Sequence, residues 1–206
     1  MVFRPHDLLF PRVPGRFDAG GPWPDWLDAG WLAKAPLVVR REAAPGGVVP
    51  VGARGMHRSQ RCKGYIRADA VARCITPEML AHPPAPAPGA LPPLAALAML
   101  APRLDALRLA WGPAGGTGFH LATGLPVLRQ DSDLDLLVRA PAPLPARTVE
   151  RLLALADGAP CRVDIQVDTG TAGFALAEYA RGGRVLLKTA HGPLLVRDPW
   201  QHAVAA

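Results

Sequence analysis

The stretch WGPAGGTGFHLATGLPVLRQDSDLDLLVR, residues 111–139, decides the fold of the second half of the chain. It opens with a cluster of glycines and closes with the alternating segment SDLDLLV, in which Asp133 and Asp135 flank a leucine. Side chains at positions i and i+2 of a strand share one face, so the two carboxylates point the same way and the leucines point into the core. The apolar segment between the two motifs, which ends at Gly124, predicts about two turns of helix.

The two motifs together predict a site for a metal ion and a phosphate group. Carboxylates held side by side in apolar surroundings repel each other, and a divalent cation such as Mg²⁺, which prefers hard oxygen ligands, relieves the repulsion. The glycine turn, with Gly115, Gly116 and Thr117, lets backbone N–H groups approach a polyphosphate, and the helix start that follows favours anions. Asp133 and Asp135 are therefore candidate catalytic and metal-binding residues, and residues 115–117 are candidate substrate-binding residues.

A third candidate carboxylate lies in the segment RVDIQVD, residues 162–168, which predicts another alternating strand. Acidic residues on neighbouring strands can hold two metal ions about 3.5–4 Å apart. We select Asp164 as the third catalytic and metal-binding residue, because Asp168 is followed by the turn-like pair Thr169-Gly170. From the residues alone two alternatives stay open: an ordinary strand–helix–strand turn with solvent-facing aspartates, and a solvated strand face at Asp164.

The order Gly-Gly-Thr, connector and Asp-x-Asp resembles the nucleotidyltransferase superfamily. The resemblance implies an α/β (α+β) fold with a mixed sheet and helices. It also implies two magnesium ions that support attack on the α-phosphate of a triphosphate, with loss of pyrophosphate. The chain departs from the pattern in two ways. Residues 117–132 make a longer connector than many members have, and the segment 115–117 stands where the superfamily often has a serine after the first glycine.

Residues 1–81 predict a smaller, β-rich N-terminal module. Residues 36–41 and 48–52 predict paired strands joined through a turn at Gly46-Gly47. Asp25 is a candidate cap for a short helix, whose neighbouring tryptophans are expected to pack in the core.

The segment between Val51 and Arg73 is strongly basic, because it carries six cations and one acid. The cations are Arg54, Arg58, Arg61, Lys63, Arg67 and Arg73. Its glycines and Ser59-Gln60 predict a loop, and binding residues concentrate in loops. Since arginine suits bidentate contacts to phosphate, Arg54, Arg58 and Arg61 are candidate substrate-binding residues. A solvated basic face is the alternative.

Residues 82–93, HPPAPAPGALPP, predict a semi-rigid linker between the module 1–81 and a nucleotidyltransferase-like catalytic domain, 94–206. In that domain the pattern predicts a helix that begins at Leu94 and is kinked or split at Pro102. It also predicts helices over 148–158 and 173–181, and a terminal hairpin over 185–197.

Charge and composition narrow the class of partner. A formal net charge of +6 and a pI near 9.9 favour an anionic partner, such as a phosphorylated cofactor or an acidic protein. Aromatic residues make up 6% of the chain and no arginine-rich tail is present, so we expect no nucleic-acid partner.

Three cysteines without C-x-x-C spacing fit a reducing cytoplasm. The first residues do not resemble a signal peptide and no apolar run approaches the ~18 residues of a membrane span, so we expect no membrane partner.

Over nearly its full length the chain resembles the malonate decarboxylase holo-[acyl carrier protein] synthases, the phosphoribosyl-dephospho-CoA transferase family. The segments that carry the resemblance are RPHDLL, VPVGARG, RSQR, WGPAGGTGFHLATG, SDLDLLVRAP, RVDIQV, FALAEYAR, VLLKT, GPLLV and DPW. The resemblance implies a magnesium-dependent transferase whose donor is 2'-(5''-triphosphoribosyl)-3'-dephospho-CoA. The acceptor would be a serine of the acyl carrier protein subunit of malonate decarboxylase, and pyrophosphate would leave.

Three other functions remain as alternatives. The first is a nucleotidyltransferase that acts on another hydroxyl acceptor. The second is a catalytically silent module that binds a nucleotide-like ligand in the same cleft. A basic nucleic-acid binder is the weakest of the three, since it requires steeply salt-sensitive binding to DNA or RNA.

Overall fold

The computed structural model describes residues 2–201 and divides the chain into two compact units. The first unit comprises Met1–Thr76 together with Phe119–Val127, and the second comprises Pro77–Gly118 together with Leu128–Ala206. The change from the first unit to the second therefore falls between Thr76 and Pro77. The segment 82–93, for which the sequence predicts a linker, lies within the span of the second unit.

The first unit contains a five-stranded antiparallel sheet with the order β4-β3-β2-β1-β5. Its strands are β1 (Leu8–Pro11), β2 (Leu37–Val39), β3 (Val48–Arg54), β4 (Arg61–Arg67) and β5 (Val71–Ile75). Leu9, Leu37, Val51 and Ile66 form the centre of its core. The three tryptophans of the N-terminal segment pack against this core, as predicted.

The short helix α1 (Ala29–Leu32) of this unit is capped by Asp28 and not by Asp25. The Oδ1 atom of Asp28 accepts a hydrogen bond of 2.6 Å from the backbone N–H of Trp31. The prediction of Asp25 as the cap is wrong because the helix begins later in the chain than its hydrophobic pattern indicates.

The basic segment is a hairpin for most of its length, so the prediction of a loop holds only for residues 55–60. Strands β3 and β4 pair from Val48 opposite Arg67 to Arg54 opposite Arg61. The connecting loop is closed by a hydrogen bond of 3.0 Å from the backbone N–H of Gly55 to the carbonyl of Gln60.

The second unit is built on a six-stranded mixed sheet with the order β11-β10-β9-β8-β7-β6. Its strands are β6 (Ala110–Pro113), β7 (Leu134–Arg139), β8 (Val163–Asp168), β9 (Ala172–Ala175), β10 (Val185–Thr189) and β11 (Gly192–Val196). Strands β7 and β8 run parallel, and every other neighbouring pair is antiparallel. This mixed sheet with helices confirms the predicted α/β (α+β) class.

Four helices accompany the second sheet: α2 (Pro92–Asp105), α3 (Gly115–Thr123), α4 (Ala146–Leu153) and α5 (Leu176–Ala180). Helix α2 packs against β7 and α5 packs against β8. The division of the chain places the last five residues of α3, 119–123, in the first unit. There Phe119 is buried with Ala35 and Val127.

Two predictions for the second unit are wrong in detail. Helix α2 is not split at Pro102: it continues to Asp105, since the proline lies in its last turn, where the one backbone hydrogen bond that it cannot donate does not end the helix. Residues 172–175 form strand β9 instead of the start of a helix. A short apolar run does not distinguish strand from helix, and pairing with β8 and β10 decides in favour of the strand here.

Within residues 2–201, no helix combines the length and the apolar character needed to cross a lipid bilayer.

Candidate active site

The glycine motif and the Asp-x-Asp motif are in contact. Strand β6 ends at Pro113, α3 begins at Gly115, and the backbone N–H of Ala114 donates a hydrogen bond of 2.8 Å to the carbonyl of Asp135. A Cβ atom added at Gly115, where φ is +53°, would lie 1.8 Å from Oδ2 of Asp135. The carboxylate of Asp135 therefore occupies the space that any side chain at position 115 would need.

The three predicted carboxylates lie on or beside two neighbouring parallel strands. Asp135 of β7 is the register partner of Asp164 of β8, and Asp133 immediately precedes β7. Leu134 and Leu136, which alternate with the two aspartates, are completely buried, whereas the three aspartates are half-buried. The alternation of the sequence thus keeps the carboxylates accessible and anchors the strand through its leucines.

An arginine lies among these carboxylates. The Nε and Nη2 atoms of Arg162 lie 3.0 and 2.9 Å from Oδ1 of Asp164. The hydrogen bond to Asp164 raises the pKa of the Arg162 guanidinium, and the negative charges of Asp164, Asp133 and Asp135 raise it further. One guanidinium therefore experiences the charge of all three predicted site residues.

The donor set has the right chemistry for Mg²⁺, because all three residues offer hard carboxylate oxygens. Because Gly115 has no side chain, the carboxylate of Asp135 fits beside the start of α3. In the part of the chain that the structure describes, however, no group of three or more His, Cys, Asp or Glu residues is arranged to hold a metal ion. The described side chains therefore offer Asp133 and Asp135 as two carboxylate ligands, whereas Asp164 contacts Arg162 and would have to exchange this partner to become the third.

The three residues predicted to bind a triphosphate differ in their exposure. Gly115 is exposed and Gly116 is half-buried, so their backbone groups are accessible at the first turn of α3. Thr117 is 0% exposed, and its hydroxyl has no hydrogen-bond partner among the described residues. A ligand therefore has no access to the Thr117 side chain in this conformation, and the first turn offers backbone N–H groups instead.

Asp168, the carboxylate that the sequence analysis set aside, belongs to a buried ionic network. Its side chain pairs with Arg139, which also bonds to Glu78 at 3.0 Å. Burial lowers the pKa of Arg139, but the hydrogen bonds that its guanidinium donates to Asp168 and Glu78, together with their negative charges, outweigh burial and raise the pKa overall. Because Arg139 is 8% and Asp168 3% exposed, the pair lies in the interior of the unit, where removing either partner would leave an uncompensated buried charge.

The predicted basic residues occupy different positions in the β3–β4 hairpin. Arg58 is exposed in the loop, and Arg61 is exposed at the start of β4. Arg54 is half-buried at the end of β3, and its guanidinium lies 5.3 Å from the centre of the Phe119 ring. Arg58 and Arg61 are thus accessible to an anionic partner, whereas Arg54 also has a packing role.

Sequence reasoning missed two polar features of the site. Arg162 was not assigned a role, although the spacing Arg-x-Asp on a strand places both side chains on one face. Gln166, on the same face of β8 as Asp164, accepts a hydrogen bond of 3.2 Å from Nζ of Lys188 on β10. That contact crosses β9, and no signal in the sequence predicts it.

Replacing Gly115 by alanine is expected to lower the transfer rate more than the stability. The new Cβ would displace the flexible carboxylate of Asp135, and the left-handed backbone at this position would cost about 1–2 kcal/mol. Gly124→Ala is the matched control, since Gly124 has φ of +73° and nothing within 4 Å of an added Cβ. We expect similar unfolding temperatures for the two variants but a much lower turnover for Gly115→Ala alone. Equal turnover in both would show that the contact with Asp135 has no catalytic importance.

Comparison with known proteins places the chain in one family. Residues 80–199 match the family described as "Phosphoribosyl-dephospho-CoA transferase MdcG C-terminal domain", and residues 4–77 match the corresponding N-terminal domain. A phosphoribosyl-dephospho-CoA transferase of Klebsiella pneumoniae (strain 342) is 42% identical over 201 residues, which cover 96% of each chain. The protein of the same name from Pseudomonas aeruginosa is 44% identical over 200 residues, which cover 97% of this chain and 94% of that protein. A third protein of this name, from Azotobacter vinelandii, is 44% identical over an alignment that covers 98% of this chain and 96% of that protein. No solved structure matches the chain. With both domains matched and relatives of this identity along nearly its whole length, the chain belongs to the phosphoribosyl-dephospho-CoA transferase family of enzymes.

Proposed function

We propose that the protein transfers the phosphoribosyl-dephospho-CoA group of 2'-(5''-triphosphoribosyl)-3'-dephospho-CoA to a serine of the acyl carrier protein of malonate decarboxylase, in the cytoplasm. Membership of the transferase family supports the donor. The observation that carries the proposal is the contact between the Asp135 carboxylate and Gly115 at the start of α3. This contact supports the proposal because it would bring a carboxylate ligand and backbone N–H groups able to bind phosphate into one place.

In the proposed reaction the serine Oγ attacks the α-phosphorus of the donor. A new P–O bond forms, the bond to the bridging oxygen of the β-phosphate breaks, and pyrophosphate leaves with the electron pair. Asp133 and Asp135 would hold Mg²⁺, which when bound neutralises charge on the phosphoryl oxygens and supports the departure of pyrophosphate. Asp164 would complete the shell of the metal ion through one carboxylate oxygen, and its other oxygen would accept the proton of the serine.

The triphosphate tail of the donor would bind at the first turn of α3. The first N–H groups of a helix have no partner within the helix, and they favour negative charge. Gly115 and Gly116 present these groups without a Cβ in the way. Thr117 would contribute through its backbone alone, because its side chain is buried.

The β3–β4 hairpin would bind a second anionic surface, either on the donor or on the carrier protein. We expect Arg58→Glu to raise the KM for one of the two substrates about tenfold with little change in kcat, since the residue is exposed in the loop of the hairpin. Arg147→Glu, an equal change of charge on the exposed face of α4, is the control and is expected to leave both KM values unchanged. The substrate whose KM rises identifies the ligand of the hairpin. Loss of folding in Arg58→Glu would instead show a structural role.

The function is tested by mixing the enzyme with donor, Mg²⁺ and apo carrier protein. We expect pyrophosphate to be released in equal amount to a carrier protein whose mass has increased by one prosthetic group. A carrier in which the acceptor serine is replaced by alanine should release none. Release without any carrier would favour another hydroxyl acceptor, and donor binding without turnover would favour a silent binding module.

A further inference from the structure

Arg162 lies beside the predicted carboxylates and forms an ion pair with one of them, Asp164. Arg162 lies just before β8, and two of its nitrogens contact a single oxygen, Oδ1 of Asp164, at 3.0 and 2.9 Å. Asp135 is the register neighbour of Asp164 on β7. The guanidinium of Arg162 therefore places a positive charge beside Asp164 and its register partner Asp135, where it can offset the repulsion between the two carboxylates.

A ligand can displace the ion pair between Arg162 and Asp164 because both side chains are accessible to water. The side chain of Arg162 is 71% exposed and that of Asp164 is 33% exposed. Ion pairs this accessible to water contribute little to stability, so exchange of the partner costs little. A divalent cation brings twice the charge of the guanidinium to the same oxygens, and guanidinium in turn binds phosphate oxygens in bidentate fashion.

We propose that Arg162 is an internal counter-cation that occupies the carboxylate cluster in the free enzyme and competes with the divalent cation for Asp164. This inference rests on the proposed function. Binding of the metal together with a polyphosphate transfers the guanidinium from Asp164 to a phosphate oxygen. Arg162 thereby makes metal binding weak in the free enzyme and strong in the presence of donor, and it is a positioning residue for Asp164.

The proposal is tested by measuring binding of Mn²⁺ by electron paramagnetic resonance in the absence of donor. Removing one positive charge from the cluster in Arg162→Ala is expected to tighten Mn²⁺ binding about tenfold. Arg129→Ala is the matched control, because Arg129 forms a similar exposed pair with Asp131, two residues away, at 3.2 Å. Its Mn²⁺ affinity is expected to equal that of the wild type. Arg162→Lys, which keeps the charge, should also remain close to the wild type.

A second measurement adds inorganic tripolyphosphate, which stands in for the triphosphate of the donor. In the wild type it should tighten Mn²⁺ binding clearly more than it does in Arg162→Ala, since only the wild type has a guanidinium to transfer. Should Arg162→Ala fail to fold, Arg162→Gln replaces it in both measurements. Equal Mn²⁺ affinities for wild type and the charge-removing variant would overturn the role of Arg162 and leave the proposed transfer intact. Full transfer activity in EDTA would instead remove the metal from the proposed function.

Discussion

Replacing Asp135 by asparagine is expected to lower the rate of transfer about a thousandfold while the unfolding temperature changes little. Metal ions stabilise phosphoryl transition states by several kcal/mol, and about 1.4 kcal/mol corresponds to a factor of ten in rate. Asparagine has nearly the same shape as aspartate, so the contact with Gly115 persists without the charge. The measurement is single-turnover transfer to the carrier protein, accompanied by thermal unfolding of each variant.

Asp131→Asn is the control for this experiment. Asp131 lies two residues before Asp133 and its side chain is exposed in a surface pair with Arg129. Its replacement removes one negative charge from the turn just before β7, and we expect less than a twofold change in rate. A near-normal rate for Asp135→Asn would reject the assignment of Asp135 as a metal ligand.

Replacing Arg139 by methionine is expected to destabilise the protein by about 3–5 kcal/mol, because the buried carboxylate of Asp168 would keep its charge and lose the guanidinium. Methionine fills a volume similar to that of the arginine stem, so the loss reflects the charge more than a cavity. The free energy of unfolding in urea, compared between variant and wild type, provides the measurement.

Arg67→Met is the control, because it breaks a salt bridge whose side chains are exposed to water. Arg67 and Asp69 form a salt bridge of 2.8 Å with side chains that are 69% and 68% exposed. Solvated pairs of this kind contribute little to stability, so the expected loss of stability is several times smaller than for Arg139→Met. If both variants lost the same small amount, the network of Arg139 would not stabilise the second unit.

The mixed sheet was predictable because apolar and polar residues alternate in its central strands, β7 and β8. In both strands the apolar residues of one face are buried: Leu134 and Leu136 in β7, and Ile165 and Val167 in β8. The segment 172–175 lacks such a signal, and its strand exists because β8 and β10 pair with it. Local pattern therefore identified the strands that carry the site, but not the strand that depends on its neighbours.

The contents of the site were less predictable than its location. The spacing of Asp133, Asp135 and Asp164 pointed to a carboxylate cluster, and the parallel register of β7 and β8 places two of them side by side. The contact of Asp135 with Gly115 depends on how β6 pairs with β7, which is a tertiary fact. The occupation of Asp164 by Arg162 depends on side-chain conformation, which no sequence pattern specifies.

The assignment of residues 119–127 to the first unit bears on any attempt to dissect the protein. Phe119 and Val127 are buried with Ala35, which belongs to the N-terminal part of the chain. A fragment that begins after Thr76 would carry these apolar side chains without their partners, and a fragment that ends there would lack them. The N-terminal fragment would therefore lack part of its interior, and the C-terminal fragment would expose apolar side chains to water, so a cut at this position is expected to impair both fragments.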